Sequence, residues 1–157
     1  MSDWSWSDVE GEVQPRSTTV DLVLDGTLQA KLEEARKRVR ETKSDDSLDS
    51  GRNEAQQELD ALEAQAAASV RTFHIVACGH KRWRELLVEH RSDDPSERYN
   101  AETFIPAAIA ECCPQFSDAA QVAKAADKLT TSQIAKLFGA ARQVNEGDDQ
   151  VPLTRGR

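Results

Sequence analysis

Two short stretches of the chain alternate between hydrophobic and polar residues, which is the pattern of a half-buried β-strand. The first runs from residue 18 to residue 25 and ends at Asp25-Gly26, and the second runs from Val70 to Ala77. The positions expected to face inward are Val20, Leu22, Leu24, Phe73, Ile75 and Ala77. Val23 is the one hydrophobic residue that breaks the alternation of the first strand.

The segment between these strands has hydrophobic residues spaced four and three apart, which predicts two helices. A polar stretch, residues 41–53, separates them. The stripe consists of Leu28, Leu32, Ala35 and Val39 before the break and of Ala55, Leu59, Leu62, Ala66 and Ser69 after it. Stripes this narrow are typical of a coiled coil, and so short a break returns the second helix antiparallel to the first. We therefore expect residues 17–78 to form a strand, a helical hairpin and a second strand, with the two strands paired antiparallel.

From Gly79 onward the pattern is helical, and four helices are predicted. They cover residues 80–90, 102–112, 117–129 and a last segment that begins with the capping box of Thr130 and Gln133. Asn100 is placed to cap the second of them, and Pro106 is expected within about its first turn. The residues expected on the inner faces are Trp83, Leu86, Leu87, His90, Ile105, Ala108, Ile109, Cys112, Ala119, Val122, Ala126, Leu129, Ile134, Leu137, Phe138, Ala141 and Val144. Residues 79–145 should thus form a small four-helix bundle.

The two ends of the chain are polar, and both are expected to be flexible tails. Residues 1–16 are acidic, although Trp4 and Trp6 leave open whether this tail docks on a partner or on the domain itself. Residues 146–157 contain Gly, Pro and charged residues. The predicted fold class is therefore α+β and mostly helical: a strand pair with a helical hairpin, followed by a four-helix bundle.

Composition and charge narrow the classes of function. The net charge is −8, which disfavours binding to the phosphate backbone of a nucleic acid. No run of about 18 apolar residues is present, and the N-terminus lacks the apolar segment of a secretory signal. We therefore expect no membrane span, a cytoplasmic location and reduced cysteines.

The residues that could carry chemistry do not form a recognisable pattern. His74, Cys78 and His80 could be considered as metal ligands, but no Cys-x-x-Cys pair accompanies them. The acidic stretch from Asp45 has its glycine one position late for a calcium loop. Cys78 with His80 could form a nucleophile and base, but no third member or oxyanion turn is evident. We expect no catalytic residue, no metal and no cofactor.

One pattern between residues 70 and 113 is specific. It consists of an aromatic strand that ends in Ala-x-Gly, a Trp-x-x-Leu helix that ends in Glu-His, and the sequence Asn-x-Glu-Thr-Phe-x-Pro-Ala. The residues are Phe73, Ala77, Gly79, Trp83, Leu86, Glu89, His90, Asn100, Glu102, Thr103, Phe104, Pro106 and Ala107. The pattern resembles the tail assembly chaperones of long-tailed, siphovirus-type bacteriophages, particularly those that infect actinobacteria. The resemblance is looser from residue 113 to Asn145: Ile134 stands where the family often has Trp, and the loop after His90 lacks consecutive prolines.

The resemblance implies a non-catalytic protein that binds the tape measure protein while tail tube subunits polymerise around it. Such a chaperone acts in the host cell cytoplasm and is absent from the mature virion; a frameshifted longer form and self-association are left open. The candidate partner-binding or motif-core residues are Phe73, Trp83, Leu86, Leu87, Phe104, Ile105, Ile109, Leu137 and Phe138. The alternatives are a structural virion component, such as a connector or tail-end protein, and a small enzyme with Cys78 as its nucleophile.

Overall fold

A computed structural model describes residues 3–44 and 49–147 of the chain. Within these ranges the fold is α+β and mostly helical, with an antiparallel two-stranded sheet, which confirms the predicted class. The strands are β1 (Ser17–Val23) and β2 (Val70–Val76), and the helices are α1 (Trp6–Val9), α2 (Gly26–Ser44), α3 (Asp49–Ser69), α4 (His80–Glu89), α5 (Ala101–Cys112), α6 (Ala119–Ala126) and α7 (Thr131–Glu146).

The chain divides into two compact units, and the division cuts both strands of the sheet. One unit comprises residues 21–72, and the other joins the described residues before Asp21 to those after Thr72. In β1, Leu22 is buried, and in β2 Ile75 is fully buried. Leu24, expected to face inward, is instead 45% exposed because the strand ends at Val23 and Asp25 already caps the next helix. The Asp25 carboxylate accepts hydrogen bonds from the backbone N–H groups of Thr27 and Leu28 at 2.9 and 3.2 Å.

In the unit of residues 21–72, α2 and α3 pack against each other as the predicted hairpin. Its core consists of Leu28, Leu32, Ala35, Val39, Ala55, Leu59 and Ala66, with Leu62 and Val23 packed against it. Arg38 Nη1 lies 2.8 Å from Glu58 Oε2, and Arg36 Nη2 lies 4.0 Å from Glu63 Oε1. Between these two ion pairs, the residue number falls along α2 (from 38 to 36) and rises along α3 (from 58 to 63), so the two helices run antiparallel. Most of the break between them, residues 45–48, lies outside the described residues.

In the other unit, α5 is the central helix of the bundle and packs on α4, α6 and α7. The buried residues of this bundle are Trp83, Leu86, Phe104, Ala108, Ile109, Cys112, Cys113, Val122, Gln133, Leu137, Ala140, Ala141 and Val144. Both predicted caps are confirmed. The Asn100 side chain accepts a hydrogen bond from the N–H of Glu102, and the Thr130 hydroxyl accepts one from the N–H of Gln133.

The inner face of α5 differs from the predicted one. Ile105 was expected to face the core but is only half-buried, whereas the neighbouring Phe104 is fully buried. Pro106 is the sixth residue of α5 and so lies in its second turn rather than its first. The helix tolerates it there without a break, although its nitrogen has no hydrogen to donate to the carbonyl four residues earlier.

Two further helices also depart from the sequence analysis. α6 is shorter than predicted at both ends: the Asp118 carboxylate accepts a hydrogen bond from Gln121 N and starts the helix at Ala119, and the helix ends at Ala126. Ala126 is exposed, because the residues of this segment that face the bundle are Val122, Ala125 and Leu129. On α7, Ile134 and Phe138 are half-buried, whereas Gln133 and Ala140 take buried positions.

The N-terminal segment contains regular structure that the sequence analysis did not predict. α1 is followed by one turn of 3-10 helix at Glu10–Glu12, and neither buries a residue. At the other end, α7 extends through Glu146 and is closed by Gly147, which has φ +72°. Residues 148–157, which make up most of the predicted C-terminal tail, lie outside the described residues.

Candidate functional site

Phe104 is the centre of an aromatic cluster formed by residues of the family-like pattern and their neighbours. Its fully buried ring meets Trp83 edge-on, with centroids 5.3 Å apart and an interplanar angle of 70°. Tyr99, Phe138 and His90 have ring centroids 4.4, 5.9 and 6.3 Å from that of Phe104. The Trp83 and Phe138 rings meet Phe104 edge to face, and such pairs add stabilisation beyond the burial of their area. The cluster therefore holds α4, α5, α7 and the loop after α4 together.

Asn100 closes the loop between α4 and α5. Its backbone N–H donates to the carbonyl of His90 at 2.7 Å, and its Oδ1 accepts from the N–H of Glu102 at 3.1 Å. The same residue's carbonyl accepts from the N–H of Phe104 at 2.9 Å, the first turn of α5. The backbone of Asn100 thus ties the end of α4 to the start of α5, and its side chain caps α5.

Gly79 makes the turn from β2 into α4. Its φ of 92° and ψ of 153° lie in a region of backbone conformation that only glycine enters without strain. Its carbonyl accepts from the N–H of Trp83 at 3.0 Å, so the turn also sets the first residue of α4 that faces the core. The backbone conformation therefore accounts for a glycine at this position.

Glu146, at the end of α7, connects three parts of this unit, and the sequence analysis missed it. Trp83 Nε1 donates to Glu146 Oε1 at 3.1 Å, and Arg98 Nη1 lies 2.9 Å from the same oxygen. Arg142 Nη2 lies 3.5 Å from Glu146 Oε2. The only signal in the sequence is the i, i+4 spacing of Arg142 and Glu146, which is too common to single out a residue.

The nine residues named as partner-binding or motif-core candidates fall into two groups. Those that are buried are Trp83, Leu86, Phe104, Ile109 and Leu137, and those that are half-buried are Phe73, Leu87, Ile105 and Phe138. Phe73 is stacked on Phe116, with ring centroids 5.8 Å apart. Only the half-buried group can touch another molecule while this fold stays closed.

Cys78 and Cys112 come together at Asn145, which the sequence did not indicate. Cys78 N–H donates to Asn145 Oδ1 at 3.0 Å, the Cys78 thiol lies 3.4 Å from the same oxygen, and Asn145 Nδ2 donates to Cys112 Sγ at 3.2 Å. Burial, with a smaller effect from the neighbouring Cys112 thiol, raises the pKa of Cys78 to about 12. Cys78 is therefore protonated at neutral pH, whereas a catalytic cysteine needs a lowered pKa.

Histidine, cysteine and carboxylate side chains do not converge on a metal site in the described part of the chain. Among residues 3–44 and 49–147, no group of three or more of these side chains is arranged to hold an ion. His80, considered above as a base for Cys78, is exposed at the first position of α4. Within the same ranges, no helix is long and apolar enough to cross a membrane.

A half-exposed apolar strip, the α7 rim, borders the aromatic cluster and consists of Tyr99, Ile134 and Phe138. Ile134 and Phe138 are one turn apart on α7, so their side chains lie on the same side of the helix. The Tyr99 ring lies 6.0 Å from that of Phe138, and the Arg142 guanidinium carbon lies 5.9 Å from the centre of the Phe138 ring. A short apolar strip with a cation beside it suits the apolar face of a helix with acidic neighbours.

Comparisons of the chain with protein-family models, with curated proteins and with solved structures find no match.

Proposed function

We propose that this chain is a phage tail assembly chaperone that binds the tape measure protein and promotes assembly of the tail tube around it, without catalysis. The observation that supports this best is the spatial clustering of the residues that carry the resemblance. Trp83, His90 and Asn100 all meet at or beside Phe104, within the segment of residues 83–104. The pattern therefore lies in one folded unit, which is compatible with a family motif.

The physical character of the chain suits a reversible cover for an aggregation-prone client. A long protein with apolar helical faces aggregates unless a partner binds those faces until assembly buries them. The net charge of −8 would keep such a complex soluble by repulsion between complexes. The raised pKa of Cys78 favours a binding role over the alternative of a cysteine-dependent enzyme.

Within this proposal the client contacts the α7 rim. Its residues are partly accessible already, so binding requires no opening of the core. The rim offers a strip about one helical turn long, and several chaperone copies along a long client would each cover one short segment. Individual contacts of this size are weak, which suits a protein that must leave as the tube polymerises.

The direct test is co-expression of this chain with the tape measure protein encoded by the same phage genome. We expect the soluble fraction of the tape measure protein to rise several-fold when the chain is present. Ile134→Lys should abolish that rise because it places a charge in the apolar rim, while Ala135→Lys, on an exposed position of the same helix, should leave it intact. Thermal unfolding of both variants checks that they fold. No gain in solubility with the unaltered chain would refute the proposal.

Quantitative mass spectrometry separates the chaperone from the alternative of a retained structural component. We expect the chain to be abundant in infected-cell lysate and missing from purified virions. A fixed copy number per virion would instead identify a connector or tail-end protein, even if the chain also binds the tape measure protein during assembly.

A further inference from the structure

The three cysteines of the chain lie in the same compact unit, and two of them face one side chain. Cys78 is in the turn between β2 and α4, Cys112 is the last residue of α5, and Asn145 is close to the end of α7. The Cys78 thiol lies 3.4 Å from Asn145 Oδ1, and Asn145 Nδ2 donates to Cys112 Sγ at 3.2 Å. Two thiols from distant parts of the sequence are therefore held at one amide group.

The orientation of Asn145 is fixed by two backbone groups. Its Nδ2 also donates to the Ala141 carbonyl at 2.8 Å, and its Oδ1 accepts from the N–H of Cys78 at 3.0 Å. Because a carbonyl can only accept and a backbone N–H can only donate, these bonds determine which end of the amide faces which thiol. The two sulphur atoms are thus positioned by the fold.

The thiols of Cys78 and Cys112 also interact directly. Burial is the main cause of the raised pKa of Cys78, and the next two causes, an electrostatic effect and a side-chain hydrogen bond, both come from Cys112. Burial raises the pKa of Cys112 as well. The third cysteine faces elsewhere, since Cys113 is fully buried and its thiol lies 3.2 Å from Gln115 Oε1. Cys78 and Cys112 are therefore the pair in contact.

Only one thiol of this pair is accessible while the fold stays closed. Cys78 is half-buried, whereas Cys112 is 2% exposed. A reagent from solution therefore has to react at Cys78 first. Cys112 then lies beside the modified sulphur and can attack it in a second step. An accessible thiol next to a second one is the arrangement of a reacting cysteine and a resolving cysteine.

We propose that Cys78 and Cys112 form a disulfide site, at which a low-molecular-weight disulfide such as oxidised glutathione converts two thiols into one intramolecular bridge. In the first step the Cys78 thiolate attacks one sulphur of the reagent, so a mixed disulfide forms and one glutathione leaves as a thiol. In the second step the Cys112 thiolate attacks Cys78 Sγ, and the second glutathione leaves. The protein loses two hydrogen atoms, and the reagent is reduced to two thiols.

The bridge would tie the turn before α4 to the end of α5. Cys78 lies outside both β2 and α4, so the turn can supply any small shift of backbone that the bond requires. The closed loop contains all of α4 and α5, including the rings of Trp83, Tyr99 and Phe104. A cross-link of this kind restricts the unfolded chain and so favours the folded one.

The raised pKa values make the pair slow in both directions. The thiolate is the attacking species, so only a small fraction of Cys78 can react at neutral pH. During reduction a sulphur of the same pair has to leave as a thiolate, and a leaving group with a raised pKa leaves slowly. The site therefore suits a lock that is set by sustained oxidation rather than a rapid sensor. This inference concerns the chain itself and does not depend on the proposed chaperone function.

The test is incubation of the full folded chain with excess oxidised glutathione at mildly alkaline pH, followed by mass spectrometry of the intact protein and of its peptides. We expect a chain that is lighter by two hydrogen atoms, with Cys78 joined to Cys112 and little glutathione attached. Cys112→Ala should instead retain one glutathione on Cys78, because the resolving thiol is missing. The matched control is Cys113→Ala, a change at the neighbouring buried cysteine, which should still form the bridge.

The oxidised chain should also unfold at a temperature at least about 5 °C above that of the reduced chain, and dithiothreitol should reverse the rise. A folded chain that keeps glutathione on Cys78 without forming the bridge refutes the proposal, because the two sulphur atoms then do not meet. A bridge through Cys113, or one between two chains, refutes it as well. So does a bridge that forms only in urea, since the fold would then not be what pairs the thiols.

Discussion

Trp83→Ala should remove much of the stability of the bundle. The side chain is 4% exposed, so its replacement removes nearly all of the 150–250 Å² that a buried aromatic residue covers. At about 25 cal/mol per Å² this area corresponds to about 4–6 kcal/mol as an upper value, and measured Trp→Ala changes cost about 3–5 kcal/mol. The lost hydrogen bond to Glu146 adds little, because Arg98 and Arg142 remain as partners of that carboxylate. We therefore expect a loss of about 4 kcal/mol.

A loss of this size is large compared with the total stability of about 5–15 kcal/mol of a typical domain. With a urea dependence of about 2 kcal/mol per M, the midpoint of unfolding should fall by about 2 M. Far-UV circular dichroism follows the transition, and hydrogen exchange measured by mass spectrometry assigns it to a segment. The amides of α4 and α5 should lose protection, whereas those of α2 and α3, in the other compact unit, should keep theirs.

The matched control is Trp6→Ala, which changes the same residue type at a position that is 61% exposed. That variant should have a free energy of unfolding within about 0.5 kcal/mol of that of the unaltered chain. A loss below about 1 kcal/mol for Trp83→Ala would show that Trp83 does not lie in the core, and the account of the aromatic cluster given above would then be wrong.

Three further predictions follow from single positions. Gly79→Ala should lower the free energy of unfolding in urea by about 1–3 kcal/mol, because the φ of Gly79 is +92° and a residue with a Cβ is strained there even though space is available. By contrast, Gly139→Ala, inside α7 with open space around it, should raise the free energy of unfolding by about 0.5–1 kcal/mol. Asn100→Ala should cost about 1 kcal/mol by removing the cap of α5. The pKa of Cys78 is raised from 9.0 to about 12, so the stability that its neutral thiol contributes is complete below pH 9 and is lost as the pH rises towards 12. Alkylation of Cys78 by iodoacetamide should accordingly still be accelerating above pH 10, where an ordinary thiol has levelled off; a rate that no longer rises above pH 10 would contradict the raised pKa.

The parts of the fold that the sequence predicted well are those in which local chemistry decides the structure. The spacing of Leu28, Leu32 and Val39 gave the inner face of α2, and each is buried. The capping residues Asn100 and Thr130 also marked the starts of their helices correctly, because a cap acts on backbone groups two or three residues away. Both signals depend on residues only a few positions apart, so they can be read from the sequence without knowing which other helix packs against that face.

The parts that the sequence could not predict depend on which element packs where. Phe104 and Ile105 are neighbours in sequence, so helical periodicity alone does not decide which of them faces the core. Phe104 does, because its ring packs against Trp83 and Phe138 from other helices. Asn145 likewise meets the thiols only because the end of α7 comes to the turn before α4. Contacts of this kind join residues about 20 to 70 positions apart, and one sequence carries no signal of them.

The structure separates the residues that carry the resemblance from those that can carry recognition. Trp83, Phe104 and Leu86 are enclosed in the core, so a change at any of them acts on folding first and on binding only as a consequence. Ile134, in the α7 rim, is half-buried and is not one of the rings packed around Phe104. Variants at Ile134 should therefore weaken the proposed client binding with stability retained, whereas Trp83→Ala should weaken both together. If an Ile134 variant lost stability in proportion to binding, Ile134 would belong to the core, and the proposal that the α7 rim binds the client would be wrong.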